Sequence, residues 1–181
     1  MRRLIQILSF LAIINLAAAQ PTRTEVTNAT TTVDAKPNSD MVPDVYALSG
    51  QFERVLVLRF KNQADLLAGL ERMVKEHKIR NAVILSGIGS VRSYHYHTVS
   101  NGTFPSRNIF VKNPAGPADI VGMNGYVIDG RVHAHITLAD PDKAFGGHLE
   151  AGTSVFTFAV VTVGVFKDGI DLSRVDDKNY R

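Results

Sequence analysis

At 181 residues, 45% of them hydrophobic and 20% charged, the chain has the make-up of one globular domain with a sizeable core and leaves little material for a second. It contains no cysteine, which excludes a disulfide framework and any thiolate metal site, so a transition-metal site would have to use histidine and carboxylate. The formal charge of +3 reflects 20 basic against 17 acidic residues, with no clustered basic run of the kind that nucleic-acid binding needs.

The N-terminus, MRRLIQILSFLAIINLAAAQ, has the form of a secretory signal. Arg2 and Arg3 make a positive n-region, Leu4 to Leu16 an apolar h-region, and Ala17-Ala18-Ala19 a small-residue cleavage site before Gln20. The alternative, an uncleaved anchor, meets the difficulty that the apolar run is short for a bilayer span. A signal peptide over 1–19 makes the protein secreted or periplasmic, and removal of Arg2 and Arg3 leaves 18 basic against 17 acidic residues. Residues 20–45 are rich in Thr, Asn, Asp and Pro and read as a flexible linker. The folded domain is expected over 46–176, with 177–181 as a tail.

Glu53 to Phe60 (ERVLVLRF) reads as a largely buried strand. A helix follows over about 63–77, with Asn62 as N-cap and Leu66, Leu67, Leu70, Met73 and Val74 at helical spacing. Gly69 weakens it by up to about 1 kcal/mol relative to alanine, and His77 sits at its end as a structural residue. Ala82 to Leu85 is a short apolar run, and Gly87-Ile88-Gly89-Ser90 reads as a tight turn between strands. In V-R-S-Y-H-Y-H-T-V, Tyr94 and Tyr96 alternate with His95 and His97, which suggests core tyrosines behind a histidine-bearing outer face. That second histidine pair could also approach the first pair, described below, across the sheet. Residues 100–117 form an irregular connection with a short strand near Ile109-Phe110-Val111. Asp119–Val127 and Arg131–Ala139 form a hairpin across Asp129-Gly130. Thr153 to Phe166 is the longest strand candidate and the central one. The sum is an α+β domain, one main helix packed on a mostly antiparallel sheet.

The chemistry concentrates between Gly125 and Gly152. Val132, Ala134, Ile136 and Leu138 alternate with His133, His135 and Thr137, so one strand face enters the core and the other carries two imidazoles side by side. His148 follows Gly146-Gly147, read as a sharp turn that could bring a third ring to the other two. Three nitrogens with a fourth position open to water or substrate is the pattern of a catalytic rather than a closed structural metal site. The competing reading is a set of surface histidines on a half-exposed strand. Asp140, Asp142 and Glu150 flank the third histidine, either as a general base or as solvated loop charge.

The helix, then G-I-G-S, then G-R-V-H-A-H-I-T-L-A-D and F-G-G-H-L, in this order over about Arg54 to Arg174, resembles the PPC domain, also called domain of unknown function 296. The resemblance implies a helix packed on antiparallel strands, assembly as a homotrimer, and His133, His135 and His148 as ligands of a divalent metal, zinc here. Two departures stand out: Asp119 replaces a glutamate of the family pattern, and Ala159 stands where the last long strand usually carries a glutamate. The R-G-R-P hook of the plant nuclear members is missing. Family members are often called DNA-binding, but export would take this chain away from chromosomal DNA. Three functions follow as expectations: an exported metal-binding domain acting as a hydrolase or lyase on an unknown small-molecule ligand, a DNA-binding module, and a non-catalytic structural or partner-binding trimer.

Overall fold

The computed structural model describes residues 20–29, 43–173 and 175. The expected signal peptide and C-terminal tail lie outside the described residues. Nine elements follow in order: β1 Thr22–Thr27, β2 Phe52–Lys61, α1 Leu66–Glu76, β3 Ala82–Val99, β4 Arg107–Asn113, β5 Ala118–Ile128, β6 Arg131–Ala139, β7 Ala144–Leu149 and β8 Ser154–Phe166. This is the expected mostly antiparallel sheet with a single helix among the described residues.

Strand β3 organises the sheet. Its 18 residues bond different neighbours at its two ends: β5 and β8 flank Ala82 to Val91, while β4 and β7 flank Tyr94 to Val99. Because β5 pairs β6, β6 pairs β7, and β7 returns to β3, these four strands close a ring. The expected turn at Gly87-Ile88-Gly89-Ser90 is therefore corrected: it lies inside one continuous, bulged strand, which is longer than β8. The glycine has a non-local purpose. A Cβ at Gly89, at φ +142°, would stand 2.3 Å from the Phe158 carbonyl oxygen of β8. The ladder shifts register on either side, letting β3 bend into the ring. Strand β8 is central as expected, bonded to β2 on one side and β3 on the other.

The linker reading is corrected at Thr22–Thr27, which pairs as β1 with β4 along its full length. All six side chains are exposed, so no apolar face announces the strand. It is held by the backbone ladder, by Glu25 accepting from Ser100 Oγ at 2.8 Å and by an Arg107–Glu25 ion pair. The helix N-cap is Asp65 rather than Asn62. Its Oδ1 accepts from Ala68 N at 2.9 Å, and its Oδ2 accepts from Gly152 N at 2.6 Å, so one carboxylate caps the helix and fastens the β7–β8 turn. His77 is the C-cap, as its position suggested. Gly69 is explained by packing: a Cβ there would lie 2.5 Å from Cε1 of the buried Phe60 ring. Leu66, Leu70 and Val74 bury the helix face against a core that includes Val91, Leu138, Leu149, Val155 and Val161.

The outer face of the β2–β8–β3 region is apolar and exposed. Val55, Val57, Ile88, Phe156 and Phe158 are between 42% and 68% accessible there.

Candidate metal centre

The histidines follow from the pleat and the register. In β6, Ala134, Ile136 and Leu138 are buried, so His133, His135 and Thr137 must point outward. The hairpin turn at Asp129-Gly130 has positive φ at both residues, 48° and 77°, which sets the β5–β6 register as expected. His148 arrives differently from the sequence reading. Gly146 and Gly147 do not make a turn; they lie within β7, which pairs β6 so that His148 stands opposite His135. The glycines are needed because β7 is squeezed between two strands. A Cβ at Gly146 would approach the Ile136 carbonyl oxygen of β6 to 2.0 Å, and one at Gly147 the His97 carbonyl oxygen of β3 to 2.3 Å.

Directly opposed residues on neighbouring strands share a face. His97 of β3 opposes His148 of β7, which opposes His135 of β6, giving one row of imidazoles across three strands, with His133 two residues further along β6. Donor atoms of His133, His135 and His148 all lie within 4.8 Å of one another. The His148 ring meets His133 edge-on at 4.8 Å between centroids and His135 at 5.3 Å. Three nitrogens around one tetrahedral zinc at about 2.0–2.1 Å sit roughly 3.3 Å apart. The rings thus need to draw in by about 1.5 Å at most, a side-chain adjustment.

The second histidine pair divides. His95 donates from Nδ1 to the Ala151 carbonyl at 2.8 Å and stays outside the row. His97 enters it: its ring stacks on His148 at 4.6 Å and on Phe110 at 4.8 Å, and its Nδ1 donates to Glu150 Oε1 at 2.6 Å. Glu150 is therefore a hydrogen-bonded partner of the site rather than solvated loop charge. Asp140, by contrast, caps its own turn through Asp142 N and Lys143 N. Tyr94 and Tyr96 are buried behind the row, as packing residues.

Burial, first, and then the neighbouring His97, His133 and His135 push His148 down to about 4 from the usual histidine value. His135 is lowered too, by burial and then by His133 and His97. A neutral imidazole is the form that ligates a metal, so the donor set suits a cation at neutral pH without prior loss of a proton from His148. The chemistry of the residues and their convergence fit a borderline divalent ion.

Residues 47–167 match the Plants and Prokaryotes Conserved (PCC) domain. Among proteins with curated descriptions, none matches the sequence significantly. Several solved structures share the fold. A metal-containing protein of Archaeoglobus fulgidus superposes with a TM-score of 0.60 at 21% identity, over 75% of this chain and 95% of that one. A plant- and prokaryote-conserved protein of Pyrococcus horikoshii gives 0.57 at 24% identity, over 69% and 87%. A Bacteroides thetaiotaomicron protein named as a candidate DNA-binding protein gives 0.54 at 19%, over 68% and 85%. With its family model covering residues 47–167, two thirds of the sequence, the chain belongs to the Plants and Prokaryotes Conserved domain family.

Proposed function

We propose that this chain is an exported, homotrimeric domain that binds one divalent cation per subunit, zinc in particular, through His133, His135 and His148. The observation that carries this is the convergence of three imidazoles from two paired strands on one sheet face. The metal-containing relative from Archaeoglobus fulgidus supports it. All three ligands come from one side, so a small-molecule ligand has access from the other. The ion would supply Lewis acidity there, the chemistry of a hydrolase or lyase. The protein's own part is to hold three neutral nitrogens on a rigid sheet.

Export rests on the signal-like N-terminus. Nucleic acid is then not the partner, whatever names relatives carry. The trimer rests on the family resemblance and on the exposed apolar face around Val57, Ile88, Phe156 and Phe158, which packing against copies of the chain would cover. The test is metal analysis of the purified chain lacking residues 1–19, with its mass in solution. About one zinc per chain, lost in His133→Ala and in His148→Ala, and a mass three times that of the chain are expected. A protein that takes up no zinc, nickel or iron, or whose metal content survives both substitutions, overturns the metal reading; a monomeric mass overturns the trimer.

A further inference from the structure

We infer that His97, anchored by Glu150, is a positioning residue for the metal centre: it forms the wall that holds the His148 ring in its ligating orientation. The inference rests on the metal reading above and adds two residues to it.

Three observations carry it. First, His148 is sandwiched. On one side lie His133 and His135; on the other lies His97, stacked at 4.6 Å with an interplanar angle of 27°. Second, His97 is itself fixed on both free sides. Phe110 packs against its ring at 4.8 Å, and Glu150 accepts its Nδ1–H at 2.6 Å. Both partners of that hydrogen bond are partly sheltered, with side-chain exposures of 20% and 26%. Third, the trio whose donor atoms mutually converge is His133, His135 and His148, without His97. Its place is behind a ligand, not around the ion.

The physical reason for such a wall lies in rotamer freedom. An imidazole on an open sheet face can swing about its two side-chain torsions, and a metal must then freeze it. A ring already packed between two others loses less on binding. Groups that fix a ligating ring by hydrogen-bonding it commonly contribute about 10–100-fold to metal affinity, and a ring that fixes it by packing is expected to act on the same scale. Glu150 also connects back to the fold: its backbone N–H bonds the His95 carbonyl, so the carboxylate that anchors His97 is itself held by β3.

The test is zinc affinity, by competition with a chromophoric chelator, together with the visible spectrum of the cobalt-loaded protein. Wild type, His97→Ala, His97→Phe and Glu150→Ala are compared. His97→Ala is expected to weaken zinc binding by about 10–100-fold and to alter the cobalt bands. His97→Phe keeps a flat ring against His148 but gives up the bond to Glu150, so it is expected to bind zinc about as Glu150→Ala does, more tightly than His97→Ala and less tightly than wild type. Should His97→Ala fail to fold, Glu150→Ala leaves the ring in place and only frees it; a loss of about 10-fold is expected. Unchanged zinc affinity in His97→Ala or Glu150→Ala overturns the inference. So does a His97→Phe protein as weak as His97→Ala, since the nitrogen rather than the wall would then matter. Failure of the wild type itself to bind zinc overturns the metal reading instead, and with it the need for a wall.

Discussion

The Gly147→Ala substitution tests the claim that close strand approach, rather than a turn, places His148. The added Cβ would meet the His97 carbonyl oxygen at 2.3 Å, its carbon at 3.1 Å and the Tyr96 ring at 3.2 Å. The first two are backbone, so no side chain can swing aside. Strand β7 must move off β3, and only two residue pairs, Tyr96↔Leu149 and His97↔His148, join them. Losing that short ladder costs about 1 kcal/mol per hydrogen bond, and overpacking adds about 1–3 kcal/mol. A loss of roughly 3 kcal/mol lowers Tm by about 6–12 °C in a chain of this size. The same shift carries His148 away from His133 and His135, so zinc uptake should fall along with stability. Gly122→Ala is the control, because a Cβ there meets nothing within 4 Å; it should change stability by under about 1 kcal/mol. Thermal melts of the metal-free proteins and zinc titration read both effects. A Gly147→Ala protein that melts within about 2 °C of wild type, with zinc affinity intact, refutes the reasoning.

Gly69→Ala should destabilise the protein by about 1–2 kcal/mol, although alanine favours a helix by up to about 1 kcal/mol over glycine. The new methyl would lie 2.5 Å from the Phe60 ring, which is only 6% exposed and has nowhere to turn; a raised melting temperature contradicts this. Acid should weaken the metal-free protein. The unfolded chain protonates His148 near its usual value of 6.5, while the folded chain resists until about 4, so stability present above 6.5 drains away between those values and levels off below. The full shift corresponds to about 3 kcal/mol, but the ring is only half-buried, so screening by solvent reduces the expected loss to about 1–2 kcal/mol. Melts in chelator from pH 7 to pH 4 measure it. A His148→Leu protein with the same acid loss as wild type removes His148 as the cause.

What was legible in the sequence was whatever depends on neighbours along the chain. The period-2 alternation of Val132 to Leu138 announced both the strand and the outward histidines, and Asp129-Gly130 announced the hairpin. The N-terminal strand was hidden because its side chains are all exposed, and a backbone ladder leaves no compositional trace. The glycines misled for a related reason. Gly87, Gly89, Gly146 and Gly147 resemble turn signals locally, yet each faces a contact from another strand: Met123, Phe158, Ile136 and His97 respectively. His97 itself carried a usable signal, its alternation with two tyrosines. Whether it reached His148 depended on the β3–β7 register, which a chain read residue by residue does not contain.

The candidate site and the shortest strand ladder among the described residues coincide. Strand β3 is tied to β8 over most of its N-terminal half, but to β7 through two pairs, one of them His97↔His148. Closure of the four-strand ring thus runs through the same short segment, Gly146 to Glu150, that holds the third proposed ligand, His148, and Glu150, which bonds His97. A cation shared by His133, His135 and His148 would brace β6 to β7 beside that ladder, and anything that binds only the closed form stabilises it by mass action. The converse holds as well: each contact that keeps β7 wedged against β3, from the glycines to the Glu150–His97 bond, would also preorganise the proposed metal site. Segment 144–150 would therefore serve folding and the proposed binding through one set of contacts, and the close approach of β6 and β3 is why two glycines stand in a strand that propensity alone would fill with β-branched residues.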